Sequence, residues 1–264
     1  MLLGKRRSKT SLISVLIAAL AIQSAQASPQ TSAQADSKTP PTAASLISQM
    51  LAHYAGAKSL SGTIRMSQEA KGHMITTDTE LQFTRPNKIY LKQSEHSSQG
   101  RTFLLTSDGK TFSYDKPAGQ YGPPRFEEPT WTQYKTLDLG DIYTATLDSI
   151  VDPNHLLNVA IGRRGDLERF VSQLASYRIA SFAKAGSDTL YQIVGKYSLG
   201  PKVDATADFE MEVTENGDFR KFMIRQLYGV PNHPEMPPIP VTTTWESTLH
   251  VDGSIDTSLF KTVK

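Results

Sequence analysis

The stretch that decides the fold is Leu81–Tyr114, LQFTRPNKIYLKQSEHSSQGRTFLLTSDGKTFSY. It reads as a run of strands with two kinds of punctuation. Arg85-Pro86-Asn87 breaks two apolar segments apart. Asp108-Gly109, set between Phe103–Leu105 and Phe112–Tyr114, is a strong short-range hairpin signal. Parity within the first segment carries further information. Leu81, Phe83 and Arg85 share one face of a strand, while Glu80, Gln82 and Thr84 share the other. Arg85 therefore projects from the apolar face. A guanidinium there needs acceptors, which the exposed carbonyls at helix ends could supply. The other possibility is that Arg85 sits at the rim before Pro86 and meets water.

Working outward, strand texture precedes and follows this stretch. Leu60–Met66 leads to a turn at Lys71-Gly72-His73, then come Thr76–Thr84, Lys88–Gln93, Thr102–Thr106 and Thr111–Asp115. A second block holds Tyr177–Phe182, Leu190–Tyr197, Ala205–Thr214, Phe219–Tyr228, Val241–Leu249 and Ile255–Val263. Tight turns fall at Glu215-Asn216-Gly217-Asp218 and Asp252-Gly253. Phe209, Met211 and Val213 alternate with Asp208, Glu210 and Glu212, as in a sheet with one wet side. The expectation is mainly antiparallel β with helices (α+β), with about 11 strands in two blocks.

Helical spacing appears in two places. Thr42 offers an N-cap, and Leu46, Ile47, Met50, Leu51 and Tyr54 form one apolar stripe that Gly56 closes. Between the strand blocks, Ile142, Tyr143, Leu147, Ile150 and Val151 fit a helix broken at Asp152-Pro153. Leu156, Leu157 and Ile161 make a second piece before Gly162. Asp166 is expected to cap a third, with Leu167, Phe170, Val171 and Leu174 on one face. An antiparallel sheet has to cover its apolar face, and these stripes are the available cover.

The N-terminus reads as a cleaved export signal. Lys5, Arg6, Arg7 and Lys9 precede an apolar run, Leu12–Ile22, and the small-residue site Ala25-Gln26-Ala27. That run is about 11 residues long, against the roughly 20 needed to cross a bilayer. The expected organisation is a signal peptide over 1–27, a disordered leader over 28–41 (SPQTSAQADSKTPP from Ser28), and a single domain over 42–264. Cleavage near Ala27 leaves 237 of the 264 residues and removes four of the 28 Lys and Arg. The mature balance is then 24 basic residues against 26 acidic, which argues against a nucleic-acid partner. The chain has no cysteine, so neither a disulfide nor a thiolate metal site is available. The expected location is the periplasm, or outside the cell.

No phosphate-binding glycine loop, GxSxG elbow or HExxH motif is present. The six histidines, among them His53, His96, His155 and His233, are scattered singly. They read as surface or locally bonded residues. Glu127-Glu128 are adjacent and point opposite ways, so they are poor partners for acid/base work. Tyr121–Pro129 and Gly229–Pro240 are proline-rich excursions. The aromatic residues, Trp131 and Trp245 included, read as sheet packing. No enzyme, cofactor or metal is expected.

The order of these features resembles the lipoprotein-carrier (LolA/LolB-like) superfamily. The resemblance is strongest over Ala44–Asp115 and rests on LQFTRPNKIYL and LLTSDGKTFSYD. It implies an incomplete antiparallel β-barrel, lidded by the leading helix and the central helices, around a hydrophobic cavity. It also implies that Arg85, at the Arg-Pro step, hydrogen-bonds to lid backbone, and that no residue is catalytic. The implied function is a carrier of lipid, an acyl chain or a lipidated protein. Such a carrier would be a monomer that meets a membrane protein transiently. An alternative is an interaction or sensor module on the same fold with a filled core. The candidate ligand-binding residues are Arg85 with Leu46, Met50, Leu51 and Tyr54 from the leading helix. Leu81, Phe83, Ile89, Leu91, Leu147 and Ile150 complete the set.

Overall fold

Lys71 and Gly72 both adopt positive φ (51° and 77°), and they fold Ser59–Ala70 (β1) back on His73–Thr84 (β2). Two consecutive left-handed residues match the twist of the strands they join. The meander continues through Lys88–His96 (β3), Thr102–Asp108 (β4) and Phe112–Tyr114 (β5). The Asp108 carboxylate holds the last turn, accepting from the backbone N–H groups of Lys110 and Thr111 at 2.7 and 2.8 Å. The structure, a computed structural model, describes residues 40–98, 100–114, 137–152, 154–199, 206–229 and 236–261. The expected signal and most of the leader, the loop Tyr121–Pro129 with Glu127-Glu128, Trp131, and the middle of Gly229–Pro240 with His233 lie outside these residues.

A second meander comprises Leu174–Ala185 (β6), Asp188–Ser198 (β7), Thr206–Thr214 (β8), Phe219–Tyr228 (β9) and Ile239–Val251 (β10). The two halves join where β1 pairs antiparallel with β10, Leu60 opposite Val251 and Ala70 opposite Val241. The result is one ten-stranded sheet in the order β5-β4-β3-β2-β1-β10-β9-β8-β7-β6. Its edges are β5 and β6, so the sheet is open. The chain leaves it at one edge and rejoins it at the other, and the helices between are carried from edge to edge. This is the mainly antiparallel, incomplete barrel with helices that the sequence implies.

Among the described residues the strand count is ten rather than about 11, because residues 255–261 of the expected last strand do not form one. Thr257–Phe260 is a 3-10 turn instead, started by Asp256, whose carboxylate accepts from the Ser258 N–H at 2.9 Å and the Ser258 hydroxyl at 2.6 Å. Local side-chain bonds of this kind outcompete a ladder. Phe260 is buried in consequence.

Ala43–Gly56 (α1) begins at Thr42, whose hydroxyl accepts from the Ser45 N–H while the Ser45 hydroxyl accepts from the Thr42 N–H. Leu139–Ala145 (α2) is shorter than its apolar spacing indicates. The hydroxyls of Thr144 and Thr146 donate to the Gly140 and Tyr143 carbonyls at 2.7 and 2.9 Å. Threonine is a poor helix former, and the helix stops here. Leu147, Ile150 and Val151 thus fall after the helix. His155–Ile161 (α3) is capped by Asn154 and ends at Gly162. Arg164–Gln173 (α4) starts from Arg163 without a side-chain cap; Asp166 lies in its first turn instead of capping it, and Leu174 already belongs to β6. Leu156, Leu157, Val159, Ala160 and Ile161 are all buried, so α3 is the helix most deeply set against the sheet. No helix among the described residues is long and apolar enough to cross a membrane.

Candidate ligand-binding site

The concave face of the sheet meets the helices in one continuous apolar cluster. Leu46, Met50 and Tyr54 of α1 join Leu81 and Phe83 of β2, Ile89 and Leu91 of β3, and Ile150. Met50, Leu81, Phe83, Ile89 and Leu91 are 0% exposed, which leaves no water-sized space against them. Tyr54 adds a polar anchor: its hydroxyl accepts from the Phe219 N–H at 3.1 Å, and burial pushes its pKa up to about 12. Two of the candidate residues lie elsewhere. Leu147, beyond the end of α2, is 38% exposed. Leu51 looks outward into an apolar cleft of about 480 Å³ between α1 and α4, with Ala52, Ala55, Leu167 and Val171.

At the end of β2, Arg85 lies under the helices. Its Nε donates to the Ala57 carbonyl at 2.7 Å, and its Nη2 to the carbonyls of Ile161 at 2.7 Å and Tyr54 at 3.4 Å. Of the two positions the sequence leaves open, the side chain takes the one on helix-end carbonyls. These belong to the C-terminal ends of α1 and α3, where carbonyls lack intrahelical donors. The guanidinium also stands 5.1 Å from the Phe83 ring centroid. Burial lowers its pKa and nearby Asp138 raises it, but an arginine remains charged. The same step reaches α2, since the Leu139 N–H donates to the Pro86 carbonyl at 2.8 Å. Asn87 in turn donates to the Gly109 carbonyl at 3.1 Å. The Arg-Pro-Asn break and the Asp-Gly hairpin, separate in sequence, are neighbours in space.

Gly162 makes this convergence possible. It ends α3 with φ of +72°, and a Cβ there would stand 2.9 Å from Arg85 Nη2 and 3.3 Å from Ala55 Cα. Gly162→Ala is expected to combine left-handed strain with displacement of the guanidinium. A loss of about 1–2 kcal/mol follows. In a thermal melt that is a drop of roughly 2–8 °C at 2–4 °C per kcal/mol, with faster amide exchange at the C-terminal ends of α1 and α3.

A second fastening holds the other end of α3. Gln93 on β3 acts as a backbone mimic toward the segment between α2 and α3. Its Oε1 accepts from the N–H groups of Val151 and Asp152 at 2.9 and 3.1 Å, and its Nε2 donates to the Asp152 carbonyl at 3.0 Å. The Asp152 carboxylate accepts from Asn154 Nδ2 at 2.7 Å and from Trp245 Nε1 of β10 at 3.2 Å. With no cation beside it, burial holds this carboxyl above the usual carboxylate range. Thus α3 is pinned to β3 and β10 at its start and to β2 at its end. The sequence drew attention to Arg85 but not to Gln93 or Trp245. Nothing local marks them, apart from Gln93 falling on the apolar face of its strand.

Among the described residues, no three His, Asp or Glu side chains converge as a metal site requires. The groups on this face include apolar surface, helix-end carbonyls, the Arg85 guanidinium, the Gln93 amide, the Tyr54 hydroxyl and the buried Asp152 carboxylate.

No family model matches the chain, and no curated protein matches it. Among solved structures it is similar to LprF from Mycobacterium bovis, with 10% identity over 76% of this chain and 90% of that one and a TM-score of 0.38. A DUF1329 family protein from Desulfovibrio piger shares 9% identity over 82% of this chain and 94% of that one, TM-score 0.30. A LolA superfamily protein from Nitrosomonas europaea shares 12% identity over 84% of this chain and 98% of that one, TM-score 0.28. At these values the likenesses carry no functional argument, and the site's own geometry must supply one.

Proposed function

We propose that the chain is a non-enzymatic carrier that holds an acyl chain, of a lipid or a lipidated protein, between the sheet and its helices. One observation supports this reading above the others. The helices over the apolar face are fastened at their ends by discrete polar bonds, with Arg85 on the Ala57 and Ile161 carbonyls. Water can replace such bonds when a helix lifts. The face beneath is apolar enough to receive a hydrocarbon chain, at about 0.8 kcal/mol per buried methylene. The ligand would take the space that α3 now fills, in contact with Leu46, Met50 and Tyr54 of α1 and with Leu81, Phe83, Ile89, Leu91 and Ile150. The export signal read from the sequence supports a location in the periplasm or outside the cell. There it would act as a monomer, delivered to or unloaded by a membrane protein.

A second reading, an interaction or sensor module with a filled core, is favoured by the complete burial of Leu81, Phe83, Ile89 and Leu91. Titration with a fluorescent fatty acid separates the two. A carrier binds the probe saturably and gives it up to unlabelled fatty acid. Absence of saturable binding, in protein stripped of lipid, leaves the filled-core module standing.

A further inference from the structure

His155, the first residue of α3, meets rings from four different elements. Its ring centroid is 5.2 Å from that of Tyr197 (β7), 5.4 Å from Phe222 (β9), 5.7 Å from Phe170 (α4) and 6.0 Å from Trp245 (β10). Its polar partner is the Tyr197 hydroxyl, 2.9 Å from Nε2. The Trp245 indole that faces it donates to Asp152, so His155 and the buried carboxylate are parts of one fastening. The residue is half-buried overall.

The other charged groups on the surrounding elements are engaged elsewhere or point away. Lys196 of β7 pairs with Asp208 at 2.6 Å, and Lys221 and Arg225 of β9 lie 3.6–3.7 Å from Glu210 and Glu212. On α4, Arg164 pairs with Glu168 at 2.9 Å, Asp166 is half-buried and Arg169 is exposed. Glu246 of β10 and Arg65 and Glu69 of β1 are exposed. His53 of α1 lies 3.5 Å from Asp218. Among the described residues, Tyr197 bonds the ring directly, Asp152 is joined to it through Trp245, and Asp166 acts with Asp152 on Tyr143.

We propose that His155 is an acid-sensitive catch: protonation of its caged ring releases the N-terminal end of α3 from the sheet and uncovers the apolar face beneath. An imidazolium in this cage loses its hydration and sits at the positive end of a helix. Burial lowers the pKa of His155 from 6.5 to about 4. A group whose folded pKa is depressed by burial of its neutral form stabilises the closed state at neutral pH. That contribution is lost as pH falls through 6.5 toward 4, because the released ring takes up the proton first. Between pH 7 and pH 5 the linkage multiplies the released population by about 20-fold. Asp152 works the other way. Its raised pKa means that acid favours the closed form, so Asp152 opposes the response. The catch requires no ligand, so it stands or falls independently of the carrier reading.

Hydrogen exchange of the amides of residues 156–161, corrected for the intrinsic pH dependence, tests this in ligand-free protein. The expected result is an opening population several-fold larger at pH 5 than at pH 7, below the about 20-fold of His155 alone, while β2 amides stay protected. His155→Phe keeps a ring in the cage and abolishes the response; Asp152→Asn removes the opposing group and enlarges it toward about 20-fold. An α3 ratio within about twofold of unity in the unsubstituted protein overturns the proposal, as does an undiminished response in His155→Phe. The first of these outcomes decides the matter even if the variant does not fold.

Discussion

Arg85→Leu is expected to free the C-terminal ends of α1 and α3 while leaving the sheet intact. Leucine preserves apolar packing near Phe83 but supplies no donor to the Ala57, Ile161 and Tyr54 carbonyls. Hydrogen bonds from a charged donor contribute about 1.5–3 kcal/mol each, less where water reaches them. The Tyr54 bond at 3.4 Å is long and adds little. The loss is expected to be about 2–4 kcal/mol, which lowers the melting temperature by roughly 4–16 °C. Arg85→Lys keeps the charge without the planar fork and should fall between the two. Exchange should accelerate in α1 and α3 and not in β1 or β10. In a carrier, Arg85→Leu also changes the rates of acyl uptake and release. In a filled-core module only stability moves.

Gly62→Ala is expected to act on the sheet itself and to cost more. Gly62 lies where β1 pairs with β10, opposite Leu249 and beside Thr248, with φ of +148°. A Cβ there would stand 2.1 Å from the Thr248 carbonyl oxygen and 2.9 Å from Leu249 Cα. Both atoms are backbone, so neither can rotate out of the way. Relief requires parting the seam that joins the two five-strand halves. Left-handed strain contributes about 1–3 kcal/mol, and the clash adds to it. A total above about 4 kcal/mol is exceptional for one substitution. Urea unfolding should show a lowered midpoint or an insoluble product. Unchanged stability would mean that the β1–β10 register differs from the one described.

Features that depend on near neighbours were legible in the sequence. Thr42 capped α1, Lys71-Gly72 turned β1 into β2, and the parity of Leu81, Phe83 and Arg85 assigned the inner face of β2. The errors arose where local bonding overrode apolar spacing. Asp256 coiled a segment with strand-like spacing, and the threonines of α2 cut short a helix that Leu147 and Ile150 prolonged on paper. Long-range features left no trace. Nothing in Leu60–Ala70 announces pairing with Val241–Val251 some 180 residues later. The Gln93–Asp152–Trp245 fastening draws on three distant segments. His155 read as a locally bonded residue because its ring partners come from four elements that only the fold assembles.

The central claim is that an acyl chain can replace α3 over the concave face. Its most direct test is mass spectrometry of the protein with and without added fatty acid, under native conditions and after solvent extraction. The carrier reading expects a saturable adduct of one acyl ligand per chain, with a matching lipid in the extract and increased hydrogen exchange in α3 on loading. A chain that stays free of lipid on purification and on incubation, with α3 exchange unchanged, contradicts it.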